Sequence, residues 1–170
     1  MDALRRYMVA SMAEGRVLGR VVSCDDGAAI WTLPGPARGE AVSGAATAAK
    51  RTALLDALSP AGLARFDDVV RCMELAAAKH DVLQRAWYLS ILGVSPGKQR
   101  SGVASRLLRP TLEEADVAGA DCWLETYGAE TLPFYSRLGF EPLIDAPVRE
   151  PNIGADYWIL LRKAPAATQA

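Results

Sequence analysis

The stretch GVSPGKQRSGVASRLL, residues 93–108, runs from an apolar segment through a basic turn into an apolar-periodic helix. The turn carries Lys98 and Arg100 and no acid. Its spacing rejects two phosphate loops: a P-loop needs GxxxxGK[ST] and a dinucleotide fingerprint needs GxGxxG, and Gly93, Gly97 and Gly102 fit neither. A strand-to-helix junction still suits an anion, because the first turn of a helix exposes unpaired N–H groups and the positive end of its dipole. Gly102 lets the main chain approach a phosphate oxygen, Ala104 keeps the next turn small, and Lys98 and Arg100 add positive charge. A solvated basic turn around a junction glycine is the plainer reading of the same residues.

The other reactive side chains narrow the chemistry. His80 is the sole histidine and no CxxC pair exists, so no multi-histidine or cysteine-rich metal site is expected. Cys24, Cys72 and Cys122 are far apart and odd in number, which fits reduced, buried thiols better than a disulfide framework. A net charge of −1 and a pI near 5.9 give no electrostatic case for a nucleic-acid or membrane-surface partner. With 170 residues, 51% hydrophobic and 23% charged, the chain has the make-up of one soluble globular domain. No membrane-length apolar run and no signal-peptide order at Met1 to Glu14 are visible, so a cytoplasmic location is expected.

These residues need elements to hold them. Leu4, Tyr7, Met8 and Met12 fall at helical spacing, and Gly15 is expected to end that helix. A strand over residues 16–23, a short turn at Asp26-Gly27 and a second strand over 28–33 read as a hairpin. Residues 40–81 turn helical, with Ser59-Pro60 as N-cap and first-turn proline, and Leu63, Phe66, Val70, Met73 and Ala77 as the buried face. The run AWYLSILGV, residues 86–94, predicts a strand buried on both faces. The following helix buries Val103, Leu107, Leu108, Leu112 and Ala115 and carries Pro110 inside it. A strand at 121–126, a short helix stopped at Gly139 and a final strand pair complete the chain. The result is a mixed α+β, three-layer fold: a mostly antiparallel central sheet, one β-α-β crossover and a helical insertion over about residues 37–82. One domain spans residues 1–163, with a disordered tail over 164–170.

Gln99-Arg100-Ser101-Gly102-Val103-Ala104 fits the pattern [Q/R]-x-x-G-x-[G/A], and Val94-Ser95-Pro96 stands before it. Phe134-Tyr135-Ser136-Arg137-Leu138-Gly139-Phe140 follows at the right separation. Together these motifs resemble the GCN5-related N-acetyltransferases. CDDGAAIWTLPG, WYLSILGVSP and LETYGAETLPFYSRLGF also look like the puromycin N-acetyltransferase-like bacterial branch, a likeness running from about Val17 onward.

The resemblance implies an acyl-CoA N-acyltransferase fold and a transferase that moves acetyl from acetyl-CoA to a small primary amine by direct attack, without a metal. It implies that main chain at Arg100, Ser101, Gly102, Val103 and Ala104, with Gln99 beside it, holds the diphosphate. Leu92, Gly93 and Val94 would pair with the pantetheine arm as a pseudo-strand. Tyr135 sits where relatives often keep an acid for the leaving thiolate; core packing is its other reading. Phe134 would serve packing, or wall the cofactor arm, rather than chemistry. Thr131 replaces a common asparagine, with N-capping before Pro133 as the favoured role. Glu125 shares a strand face with Trp123 and is the candidate base, with orientation of a water or a structural hydrogen bond as alternatives. The family fold opens strand-helix-helix-strand, whereas this chain starts at what corresponds to the second helix. Loss of the first strand and helix would leave an apolar edge, so a homodimer or a shortened reading frame is expected. A CoA-binding sensor without turnover and a protein N-terminal or lysine acetyltransferase are the competing functions.

Overall fold

A computed structural model describes residues 2–34, 40–144, 148–149 and 156–166. Helix α1 (Asp2–Leu18) leads into a hairpin of β1 (Gly19–Cys24) and β2 (Gly27–Thr32), turning at Asp25 and Asp26. Helices α2 (Glu40–Ala57) and α3 (Pro60–Ala77) follow, then β3 (Trp87–Val94) and α4 (Val103–Ala118). Strand β4 (Cys122–Tyr127), the short α5 (Leu132–Ser136), β5 (Glu141–Pro142), β6 (Val148–Arg149) and β7 (Asp156–Arg162) complete the order. Among the described residues the sheet runs β1-β2-β3-β4-β7-β5, with β6 also on β7. Every pairing is antiparallel except β3 with β4, whose connection through α4 is the expected crossover.

The sheet separates two cores. On one face α4 buries Val103, Leu107, Leu108, Leu112 and Ala115 against Trp31, Leu89, Leu124 and Phe140. On the other, Ala76 of α3 and Leu83 pack with Tyr157, Ile159 and Leu161 of β7. Pro110 lies on the exposed side of α4, where the carbonyl it leaves unbonded faces water and the helix continues. Gly139 adopts φ +85, and the N–H of Phe140 returns to the Tyr135 carbonyl (3.1 Å), which turns the chain sharply and drives Phe140 into the core. Arg162 locks this corner: it donates to the Leu138 carbonyl (3.0 Å) and grips Asp116 of α4 with two bonds (2.5 and 2.8 Å).

Several sequence expectations change. Gly15 does not end α1, which runs on to Leu18, so residues 16–18 are helical rather than strand. Gly15 is buried against Ile30, where any Cβ would collide, and its service is close approach of helix to hairpin. Leu4 is 65% exposed, and Ser11 with Gly15 forms the buried stripe instead, because small residues let α1 settle on its neighbours. The Ser59-Pro60 start of α3 holds, with the Ser59 hydroxyl accepting from the Gly62 N–H (3.2 Å). Its expected apolar face is only half-buried, and so is most of β3, where Leu89 alone is fully buried. Both shortfalls have one cause: cavities flank β3 on either side. Cys24 is exposed rather than buried, and Cys122 is the one deeply buried thiol among the described residues. The start of the expected insertion at 37–39 and residues 167–170 of the expected tail lie outside the described residues.

Candidate functional site

Helix α4 starts without a side-chain cap. Its N-cap is Gly102 at φ +82, and its first turn holds no acid, so the leading N–H groups and the dipole have no local counter-charge. Arg100 also adopts a left-handed conformation, φ +60, which costs a non-glycine residue energy and marks a constrained loop. Left-handed residues on both sides of Ser101 are a feature of loops whose main-chain N–H groups bind anions. The Ser101 hydroxyl donates to the Lys98 carbonyl (2.6 Å), which pins the loop. This loop borders a first cleft of about 750 Å³ between the end of β3 and α5.

The strands behind the cleft part. Parallel pairing of β3 with β4 covers Trp87–Cys122, Tyr88–Trp123 and Leu89–Leu124 and goes no further. On its other side β3 stays paired with β2 to Val94, but Ser90 is bulged out between the partners of Ile30 and Trp31. A bulge bends its strand and re-aims the side chains beyond it. After Ser90, Leu92 and Val94 face the first cleft while Tyr88 and Ile91 face the opposite side of the sheet. The β4-facing edge of β3 past Leu89 is thereby left open for another extended chain.

A second cleft of about 580 Å³ lies on that opposite side, beneath α1, α2 and α3. A smaller cavity of about 320 Å³ occupies the gap between the parted strands. It shares Leu92, Thr131 and Tyr135 with the first cleft and Ser90 and Glu125 with the second. A path therefore crosses the sheet where the strands diverge.

Glu125 stands on that path. Burial pushes its carboxyl pKa up, the hydrogen bond from Tyr88 pulls it down, and the nearby Glu74 charge raises it again. The Tyr88 hydroxyl donates to Oε2 (2.9 Å), whereas Oε1 is buried with no partner among the described residues. Tyr88 in turn stacks on Trp123, ring centroids 4.2 Å apart, so the carboxylate's anchor is itself held by packing. Burial beside Glu125 raises the Tyr88 pKa far above the usual phenol value, which keeps it a donor.

Tyr135, from α5, lines the same small cavity as Glu125. Edge-on contacts with Phe134 (4.9 Å) and Phe140 (6.0 Å) fix its ring. Burial raises its pKa, so the phenol is protonated at neutral pH and able to donate. The Cys122 thiol is pushed up to about 12 by burial and is no nucleophile. His80 stands between α3 and the 3-10 turn of residues 81–85 and lines none of the three cavities.

Of the residues expected at the cofactor, Leu92, Val94, Gln99, Arg100, Gly102, Ala104, Thr131 and Phe134 line the first cleft. Gly93, Ser101 and Val103 do not: Gly93 pairs with Ala28, the Ser101 hydroxyl is turned onto Lys98, and Val103 is in the core. Thr131 does not cap α5 with its side chain, because its own backbone is already helical (φ −85, ψ −21). Its hydroxyl donates to the Gly128 carbonyl (3.0 Å), and the Thr126 hydroxyl supplies the bond between the two threonines (2.8 Å). Glu125 lies outside the first cleft. Sequence reasoning missed Ser105 and Arg137 on the first cleft, although Arg137 stands inside the FYSRLGF motif as a third cation. It also missed the second cleft, whose walls come from helices distant in sequence. Among the described residues no group of three or more acidic, histidine or cysteine side chains is placed to hold a metal, and no helix is long and apolar enough to cross a membrane.

Comparison with known proteins agrees with this architecture. Residues 41–140 match the acetyltransferase (GNAT) family, and the chain belongs to it; the family uses acetyl-CoA. A solved structure described as histone acetyltransferase HPA2 and related acetyltransferase from Corynebacterium glutamicum shares the fold at TM-score 0.62 and 21% identity, over 99% of this chain and 77% of that one. The ribosomal-protein-S18-alanine N-acetyltransferase from Escherichia coli matches at 24% identity and TM-score 0.40, over 49% of this chain and 57% of that one. Nourseothricin acetyltransferase matches at 24% identity and TM-score 0.38, over 47% of this chain and 51% of that one.

Proposed function

We propose that the chain is an N-acetyltransferase that moves the acetyl group of acetyl-CoA to the primary amine of a small molecule by direct attack. The observation that carries this reading is the path across the sheet, with Glu125 on its second-cleft side and Tyr135 on its first-cleft side. The first cleft takes acetyl-CoA, with the diphosphate at the uncapped start of α4 and the pantetheine arm along the open edge of β3. The second cleft takes the amine. The thioester supplies an activated carbonyl and a thiolate leaving group.

The residues then divide the proton work. Glu125, kept unpartnered at Oε1, accepts a proton from the incoming ammonium so that its nitrogen lone pair is free. The nitrogen forms a bond to the carbonyl carbon, and the carbon–sulfur bond breaks. Tyr135 donates its phenolic proton to the departing thiolate, and the second proton shed by the acylated nitrogen restores the phenol. The raised carboxyl pKa of Glu125 brings the base nearer to neutral pH, where such transfers are most effective. The likeness of the sequence to the puromycin N-acetyltransferase-like branch supports a small-molecule acceptor.

Thermal stabilisation by acetyl-CoA, followed by thiol release over a panel of amines, tests the reading. Tyr135→Phe is expected to cut turnover by about 10²-fold or more while acetyl-CoA still stabilises the protein. Binding without thiol release from any amine would leave a CoA-binding sensor in place of an enzyme.

A further inference from the structure

We infer that the second cleft selects a primary ammonium carried on an apolar, ring-bearing body with no anionic group, of which an arylalkylamine is the simplest example. This rests on the acetyl-transfer reading only for naming the nitrogen that reacts. The surface, charge and shape of the cavity argue for the ligand class on their own.

The walls are apolar and partly aromatic. Val70, Met73 and Ala77 descend from α3, and the stacked Tyr88 and Trp123 form the sheet side. Such a surface rewards burial of a ring and offers π-faces to a cation. Met73 is unbranched and able to adapt to the body it meets, and it already accepts a contact from the Tyr127 hydroxyl (3.0 Å).

The charges on the cavity point one way. Glu125 from β4 and Glu74 from α3 both border it, close enough for Glu74 to raise the Glu125 pKa. The cation on the wall, Lys50, is engaged by Glu14 of α1 (2.6 Å) and does not offset them. Oε1 of Glu125 is buried without a donor, and an N–H from the ligand completes it. An alcohol supplies no charge to that pair, and an amine bearing a carboxylate sets a third anion beside them. A cavity of about 580 Å³ has the size of a small-ligand site. Helical side chains from α1, α2 and α3 roof the cavity over the strand residues Tyr88, Ser90, Ile91, Trp123 and Glu125.

Titration of the whole protein with phenethylamine, phenethyl alcohol, phenylalanine and propylamine, by calorimetry without acetyl-CoA, tests the inference. Phenethylamine is expected to bind at least about tenfold more tightly than each comparator, which differ from it in charge, added carboxylate or missing ring. Glu74→Gln, on an exposed helix position, is expected to weaken phenethylamine severalfold and leave phenethyl alcohol unchanged. Trp123→Ala is expected to weaken both ring compounds. Equal affinity for phenylalanine and phenethylamine, absence of phenethylamine binding at millimolar concentration, or a Glu74→Gln variant with unaltered selectivity would overturn the inference. Selective binding of phenethylamine with no thiol release from acetyl-CoA sustains the ligand class and defeats the transferase reading instead. Thiol release that favours phenylalanine does the reverse.

Discussion

Replacing Tyr88 by phenylalanine removes one atom from the candidate site and leaves the stack on Trp123 available to the new ring. That atom is the donor to Glu125 Oε2, and Oε1 has no other protein partner among the described residues. Hydrogen bonds to charged groups contribute about 1.5–3 kcal/mol, and one pKa unit corresponds to about 1.4 kcal/mol. The Tyr88 bond lowers the Glu125 pKa against the effect of burial, so its loss is expected to raise that pKa further. A base must be deprotonated to act, and the acid limb of kcat/KM against pH therefore moves upward with it. Stability carries a second signature. A carboxyl raised on folding takes up protons, so stability falls as pH rises from its unfolded value through its folded one, and the substitution widens that window. Above it the variant strands a buried carboxylate and loses about 3–12 °C in Tm. Below it the carboxyl is neutral, an ordinary bond of about 0.5–1.5 kcal/mol is missing, and the gap from wild type narrows. Thiol-release rates and melting curves across the same pH range check both. A folded variant whose acid limb stays in place would refute the assignment of that limb to Glu125 and the base role with it.

Three further outcomes are expected. Glu125→Gln is expected to lower kcat/KM by about 10²–10⁴-fold while acetyl-CoA still raises Tm, since Glu125 borders the second cleft and not the first. Gly102→Ala meets no steric obstacle but forces a Cβ onto a left-handed backbone at φ +82. It is expected to lose about 1–2 kcal/mol in denaturant melts and to weaken acetyl-CoA binding in a thermal-shift titration. Arg162→Met breaks the two bonds that hold the Asp116 carboxyl below its ordinary pKa. Wild type keeps that stabilisation above the unfolded carboxylate pKa and loses it as pH falls through the depressed folded value, so the variant's Tm is expected to be lower at neutral pH and flatter toward acid.

What the sequence disclosed divides along a physical line. Val103, Leu107, Leu108, Leu112 and Ala115 announced their burial through helical spacing, and all are in the core. Gly139 announced a left-handed helix stop because only glycine readily takes positive φ, and it does; the positive φ of Gly102 went unread. Trp123 and Glu125 were placed on one strand face by alternation, and both face the second cleft. Features made by distant segments stayed hidden. Gly15 looked like a helix stop, since nothing local reports the Ile30 side chain that occupies its flank. Tyr88 gave no sign of its bond to Glu125, because the pairing depends on parallel register between strands joined through α4. Thr131 looked like a cap, and only the folded turn shows its hydroxyl spent on Gly128 and Thr126.

The short seam between β3 and β4 has a mechanical meaning. Two antiparallel ribbons, one built on β1 to β3 and the other on β4, β7 and β5, meet through three residue pairs, with α4 strapped across them. An extended ligand arm in the open length of that seam would act as a missing rung, and a ligand held at 100 times its Kd adds about 2.7 kcal/mol to the native state. The cosubstrate would then serve as mortar as well as reagent. Between turnovers, those amides of Ser90 to Val94 that point away from β2 would trade hydrogen with water faster than the paired amides of the seam.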